Sequence, residues 1–149
     1  LSICALFLFF FLPTSFAEAQ CINGTASYPI YKKGAQLVSE FDDQGAEIVR
    51  IEYDLIFDAK ETFRNLSDSW EYAIIGFADD GVKDLDVKVY AYDDLLEEWE
   101  LVAEDKSTEA YAFTSIQPES DGLYKVEVIV YEFHEGYTAA RYGLIFVHD

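Results

Sequence analysis

The side chains best placed to do chemistry are acids. The run Asp79-Asp80-Gly81-Val82-Lys83-Asp84-Leu85-Asp86 is the densest polar cluster in the chain. A hard cation such as calcium takes about six to eight oxygens, which carboxylates and free carbonyls of one loop can supply. Asp84 and Asp86 stand two residues apart, so an extended strand turns both to one side. Asp79, Asp80, Asp84 and Asp86 are therefore the candidate calcium ligands. The spacing is not that of an EF-hand and Lys83 sits inside it, so a solvated acidic turn is the plainer alternative. Asp93-Asp94 and Glu97-Glu98 join such a site only if the fold brings their turn close, and Asp42-Asp43 reads as a turn.

Aromatic side chains offer a second chemistry. Tyr90 and Tyr92 alternate with Val89 and Ala91 and share a face with Lys88, and Tyr111 and Phe113 form a similar pair. Exposed rings in line stack on sugars or anchor a protein partner. Tyr90, Tyr92 and Tyr111 are the candidate ligand-binding residues. A covering second sheet or cross-strand pairing would account for the same rings. Trp70 and Trp99 read as core residues.

Catalysis lacks its parts. The two histidines, His134 and His148, have no Cys or His partner at metal-ligand spacing. No serine sits in a Gly-x-Ser-x-Gly elbow, and no Gly-rich phosphate loop occurs. Among 29 acids a glycosidase-like pair arises by chance. A non-catalytic protein is expected, and a small secreted hydrolase is the reading these residues support least.

The elements that must carry these residues are strands. Val49, Ile51, Tyr53, Leu55 and Phe57 alternate with Arg50, Glu52 and Asp54, which predicts a half-buried strand. Trp70 to Phe77 is mostly apolar on both faces and reads as central. Further strands are expected over Leu85–Ala91, Trp99–Ala103, Glu109–Ser115, Tyr124–Val130 and Arg141–Val147. Asp80-Gly81, Pro118 through Gly122 and Glu135-Gly136 mark turns. Asp93 to Glu104 has partly helical spacing but reads better as a hairpin. The whole predicts an all-β chain, an antiparallel, jelly-roll-like β-sandwich of about seven to eight strands over residues 46–149. Residues 20–45 hold Gly24, Pro29, Gly34 and Gly45 and read as a lead-in, with Ala35 to Phe41 either a short strand or a helical turn.

Ile3 to Leu12 is an uncharged apolar run of signal-peptide length, too short to span a bilayer and broken by Pro13. Ala17-Glu18-Ala19 has the small-x-small form of a cleavage site, so residues 1–19 read as a signal peptide and the mature chain as secreted, periplasmic or extracellular, without a membrane span. The lack of Met fits a chain without its start residue. Removal of the leader would leave Cys21 alone, free, paired between chains or lipidated. Asn23-Gly24-Thr25 and Asn65-Leu66-Ser67 are formal glycosylation sequons. The net charge of −19 repels nucleic acid and anionic lipid, which removes both as partners.

Asp84-Leu85-Asp86-Val87-Lys88-Val89-Tyr90, Leu101-Val102-Ala103-Glu104-Asp105, Ala110-Tyr111-Ala112-Phe113, the segment Pro118 to Val128 and Tyr142-Gly143-Leu144 together resemble the bacterial pre-peptidase C-terminal domains. The resemblance covers Trp70 to Leu144. It implies a small exported jelly-roll-like sandwich that binds or stabilises something without catalysis, with calcium at loop carboxylates in some members. Those domains are often appended to exported hydrolases, so an accessory role to a linked enzyme is not carried over from the resemblance. Within the closing segment Gly122 is expected to supply an unusual backbone angle and Tyr124 to open the buried face. The expectation is a secreted accessory or binding module, calcium-stabilised, with polysaccharide or protein as partner. The alternative is a carbohydrate-binding module using the surface tyrosines.

Overall fold

The computed structural model describes residues 27–148. The leader, Cys21 and the Asn23 sequon lie outside them. Eight strands follow one helix: α1 (Tyr28–Gln44), β1 (Glu47–Ile56), β2 (Ala59–Leu66), β3 (Tyr72–Ala78), β4 (Val82–Asp93), β5 (Glu98–Glu104), β6 (Tyr111–Ile116), β7 (Gly122–Phe133) and β8 (Ala140–His148). They form two antiparallel four-stranded sheets, ordered β1-β8-β3-β6 and β2-β7-β4-β5. Consecutive strands repeatedly cross between sheets, which is the jelly-roll order. No described helix is long and apolar enough to cross a membrane.

The alternation read in the sequence builds the core between the sheets. Leu85, Val87 and Val89 of β4 and Tyr124, Val126, Val128 and Val130 of β7 face Ile74, Ala112, Leu144 and Phe146 of the other sheet. Gly122, which opens β7, is not among the positive-φ residues, which are Gly45, Gly136 and Glu97; the expected unusual angle is absent there.

The lead-in holds a 17-residue helix rather than a strand or a single turn. Ile30, Leu37 and Phe41 line one face with Gly34 and pack on Ile75, Phe77, Ile145 and Val147, the outer side of the β1-β8-β3-β6 sheet. The residues that read as breakers are its punctuation. Pro29 lies in the first turn, where its missing N–H costs nothing. Gly45 takes a left-handed φ of 79° and its N–H donates to the Asp42 carbonyl, ending the helix.

This helix also changes the meaning of β1. Ile51 and Tyr53 lie beneath α1, not in the sandwich, while Val49 and Phe57 are exposed. The charged side of β1 meets edge strand β2. Glu52 takes Arg50 and Arg64, and Asp54 takes Lys60 at 2.9 Å. Strand β2 escaped the sequence reading because its alternate positions Lys60, Thr62 and Arg64 are polar. Ion pairs thus close the seam between the sheets on the β1/β2 side.

Candidate functional site

The outer face of the β2-β7-β4-β5 sheet has no covering element among the described residues. Register sets what it displays. Phe63 of β2 stands opposite Lys125 of β7, which stands opposite Tyr90 of β4, which stands opposite Leu101 of β5. Tyr92 pairs with Trp99 one step along. A bulge between Val89 and Tyr90 decides this arrangement. Ala103 faces the core, and the extra residue, Val102, turns Leu101 and Trp99 to the opposite side, since a one-residue slip flips every side chain beyond it. Regular alternation would have put Trp99 with Ala103 in the core, and that expectation is corrected here. Trp70 is not core either: it is exposed at the start of β3, its ring 4.3 Å from that of His148.

Trp99 is half-buried and forms the middle of a ring cluster, 5.0 Å from Tyr92 and 5.7 Å from Phe63 between centroids. The Lys125 ammonium lies 4.4 Å from the Tyr90 ring centre and 5.6 Å from that of Trp99, and it donates to Glu61 at 3.1 Å. Such a cation holds the rings in place. The Tyr90 hydroxyl donates to Glu127 at 3.0 Å. Desolvation first, and that bond second, push the Tyr90 pKa above its ordinary value. The Lys88 amine donates to the Tyr131 hydroxyl at 3.3 Å, which raises the lysine pKa. Tyr92 and Phe63 expose 37% and 46% of their surface, enough to meet a ligand. The result is an apolar strip of three rings flanked by fixed donors and acceptors.

The third expected tyrosine does not join it. Tyr111 lies on β6 of the other sheet, packed with the α1 cluster, and burial raises its pKa. Phe113 is exposed on that same side.

Tyr92 also lines a groove of about 720 Å³ between edge strands β5 and β6. Asp93, Asp94, Glu100, Leu101, Val102, Ser115, Gln117 and Glu119 border it too.

The four acids do not converge. Asp79 directly follows β3, and both its oxygens are used: Oδ1 accepts the Gly81 N–H and Oδ2 the Arg141 N–H, each at 2.9 Å. It ties the β3–β4 turn to β8. Asp80 is exposed. Asp84 and Asp86 flank the core residue Leu85 on β4, and Asp84 lies close enough to help raise the Asp86 pKa, after desolvation. Asp84 and Asp86 each keep a buried Oδ1 without a hydrogen-bond partner. Among the described residues no group of three or more His, Cys, Asp or Glu is placed to hold a metal ion.

No protein-family model matches the chain, and no curated protein matches it. Solved structures do. One is PliG of Aeromonas hydrophila, a periplasmic inhibitor of g-type lysozyme, at 10% identity and a TM-score of 0.44, covering 71% of this chain and 90% of that one. A protein of Sulfurospirillum deleyianum matches at 9% identity and a TM-score of 0.43, covering 67% and 98%. The CBM4 structure matches at 15% identity and a TM-score of 0.39, covering 70% and 77%. None of them carries its ligand over to this chain.

Proposed function

We propose that this protein is an extracytoplasmic, non-catalytic binding module that takes a glycan on the outer face of the β2-β7-β4-β5 sheet. One observation carries the reading: Phe63, Trp99 and Tyr92 form a contiguous strip of rings, the outer two exposed and the half-buried Trp99 between them held by Lys125. Flat rings match the apolar faces of sugars, and their two-torsion side chains lose little entropy on binding. Glu61, Glu127, Lys125 and the Tyr90 hydroxyl stand beside the strip to orient sugar hydroxyls. The extracytoplasmic part rests on the leader-like residues 1–19. Affinity electrophoresis through gels of neutral polysaccharides tests the glycan. At least one should retard the protein without release of reducing ends. Trp99→Ala should then weaken binding about tenfold, roughly 1.4 kcal/mol. Phe113→Ala, on the opposite sheet, should leave it unchanged. Retention untouched by Trp99→Ala, or no retention by any polysaccharide, would sink the proposal.

Calcium is a separate proposal, and it rests on Asp84 and Asp86. Their unpartnered buried oxygens are the ones a cation would relieve, with carbonyls and water filling its other positions. A melt in chelator and then in millimolar calcium should rise by several degrees. Asp84→Asn/Asp86→Asn should abolish the rise. An equal rise in that variant would place the ion elsewhere.

A further inference from the structure

The two long seams of the sandwich are finished differently. At the β1/β2 seam, carboxylates and cations are both supplied by the chain, as Glu52 with Arg64 and Asp54 with Lys60. At the opposite seam, strands β5 and β6 are the last of their sheets and leave the groove of about 720 Å³ between them. Its rim carries Asp94, Glu100 and Glu119, whose carboxylates make no hydrogen bond or ion pair with the described residues. Asp93 is already occupied, accepting the N–H groups of Leu95 and Leu96. None of the described residues lining the groove is basic. Leu101 and Val102 on β5 are 44% and 41% exposed beside it, and Tyr92 stands at its mouth.

We infer that this open seam docks an extended, lysine- or arginine-bearing segment of a basic partner protein. An unpaired strand edge offers main-chain donors and acceptors to a strand laid along it. The exposed Leu101 and Val102 give that strand apolar contact, and the unpaired acids select its charge. The partner thereby supplies the cations that the chain itself supplies at the other seam. The field of a chain with net charge −19 would speed the encounter at low salt. Tyr92 is shared with the neighbouring glycan face, but the inference rests on the strand edges and the rim acids and does not depend on glycan binding.

The probe is a fluorescein-labelled decapeptide of alternating lysine and threonine, followed by anisotropy at low salt. Glu100→Gln/Glu119→Gln should loosen its binding about tenfold. Glu132→Gln/Glu135→Gln removes the same charge away from the groove and should change it less than about twofold. Both variants should melt like the parent, and Trp99→Ala should retain most of the peptide affinity. Equal losses in the two double variants would show attraction to overall charge alone and overturn the inference. So would absence of binding, or a soluble chitosan oligomer that competes with the peptide and binds at least a hundredfold more tightly, which would assign the groove to amino sugars.

Discussion

Gly143→Ala is expected to lower the unfolding free energy by about 3 kcal/mol, the upper end of what overpacking a core costs. Gly143 sits on β8 opposite Phe77 of β3 and opposite Tyr53 of β1. The Phe77 ring lies against it, fully buried beneath α1. A methyl group at Gly143 would overlap Cζ of Phe77 and stand 2.6 Å and 2.7 Å from Cε2 and Cε1. The ring cannot retreat upward, because Gly34 of α1 brings the helix backbone down on it, 3.1 Å from where a Gly34 methyl would lie. Two glycines thus let one aromatic ring join helix to sheet. Gly122→Ala is the matched control. Its methyl would meet only the Ser120 carbonyl at 4.0 Å, so a change within about 0.5 kcal/mol is expected. Urea unfolding of both variants checks the pair. Equal midpoints would mean that α1 does not pack on Phe77 as described.

Asp86→Asn is expected to stabilise the protein in chelator at pH 8 and to have little effect near pH 4. Asp86 is 8% exposed, and its buried Oδ1 has no hydrogen-bond partner. Its pKa is pushed up to about 6, by desolvation first and then by Asp84, Asp105 and Glu104, with Lys88 opposing. The folded-state value lies above the unfolded one, so for this carboxylate the charged form opposes folding. The penalty is complete above pH 6 and fades as pH falls toward the unfolded value near 4. Asparagine removes the charge at every pH. The gain at pH 8 should therefore be at most about 3 kcal/mol, since each tenfold change in proton affinity is worth roughly 1.4 kcal/mol. Melts of wild type and variant from pH 4 to pH 8 measure it. A constant difference across that range would show that charge on Asp86 is not the cause.

The sandwich was legible because β1, β4 and β7 alternate apolar and polar residues, the last two over buried valines, and β3 and β8 are near-continuous apolar runs. Strand β2 was hidden because an edge strand meeting a charged neighbour needs no apolar stripe. Helix α1 was hidden because Pro29, Gly34 and Gly45 look like loop residues until their positions at its first turn, contact point and end are known. At the site, Tyr90 and Tyr92 were readable from alternation, since β4 is regular there. Trp99 was not, because a single bulge reverses its side, and local sequence carries no strong mark of where a ladder gains a residue. Phe63 was missed together with its strand. Tyr111 shows the converse, a correct alternation whose outward face another element covers.

The most direct test of the glycan face is the emission of Trp99 alone. Trp70→Phe leaves Trp99 as the single tryptophan and replaces an exposed ring. Titration with the polysaccharide that retards the protein should shift Trp99 emission to the blue and protect it from acrylamide quenching, saturating with the binding curve. Binding that leaves both the emission and the quenching of Trp99 unchanged would contradict the account and move the ligand off this face.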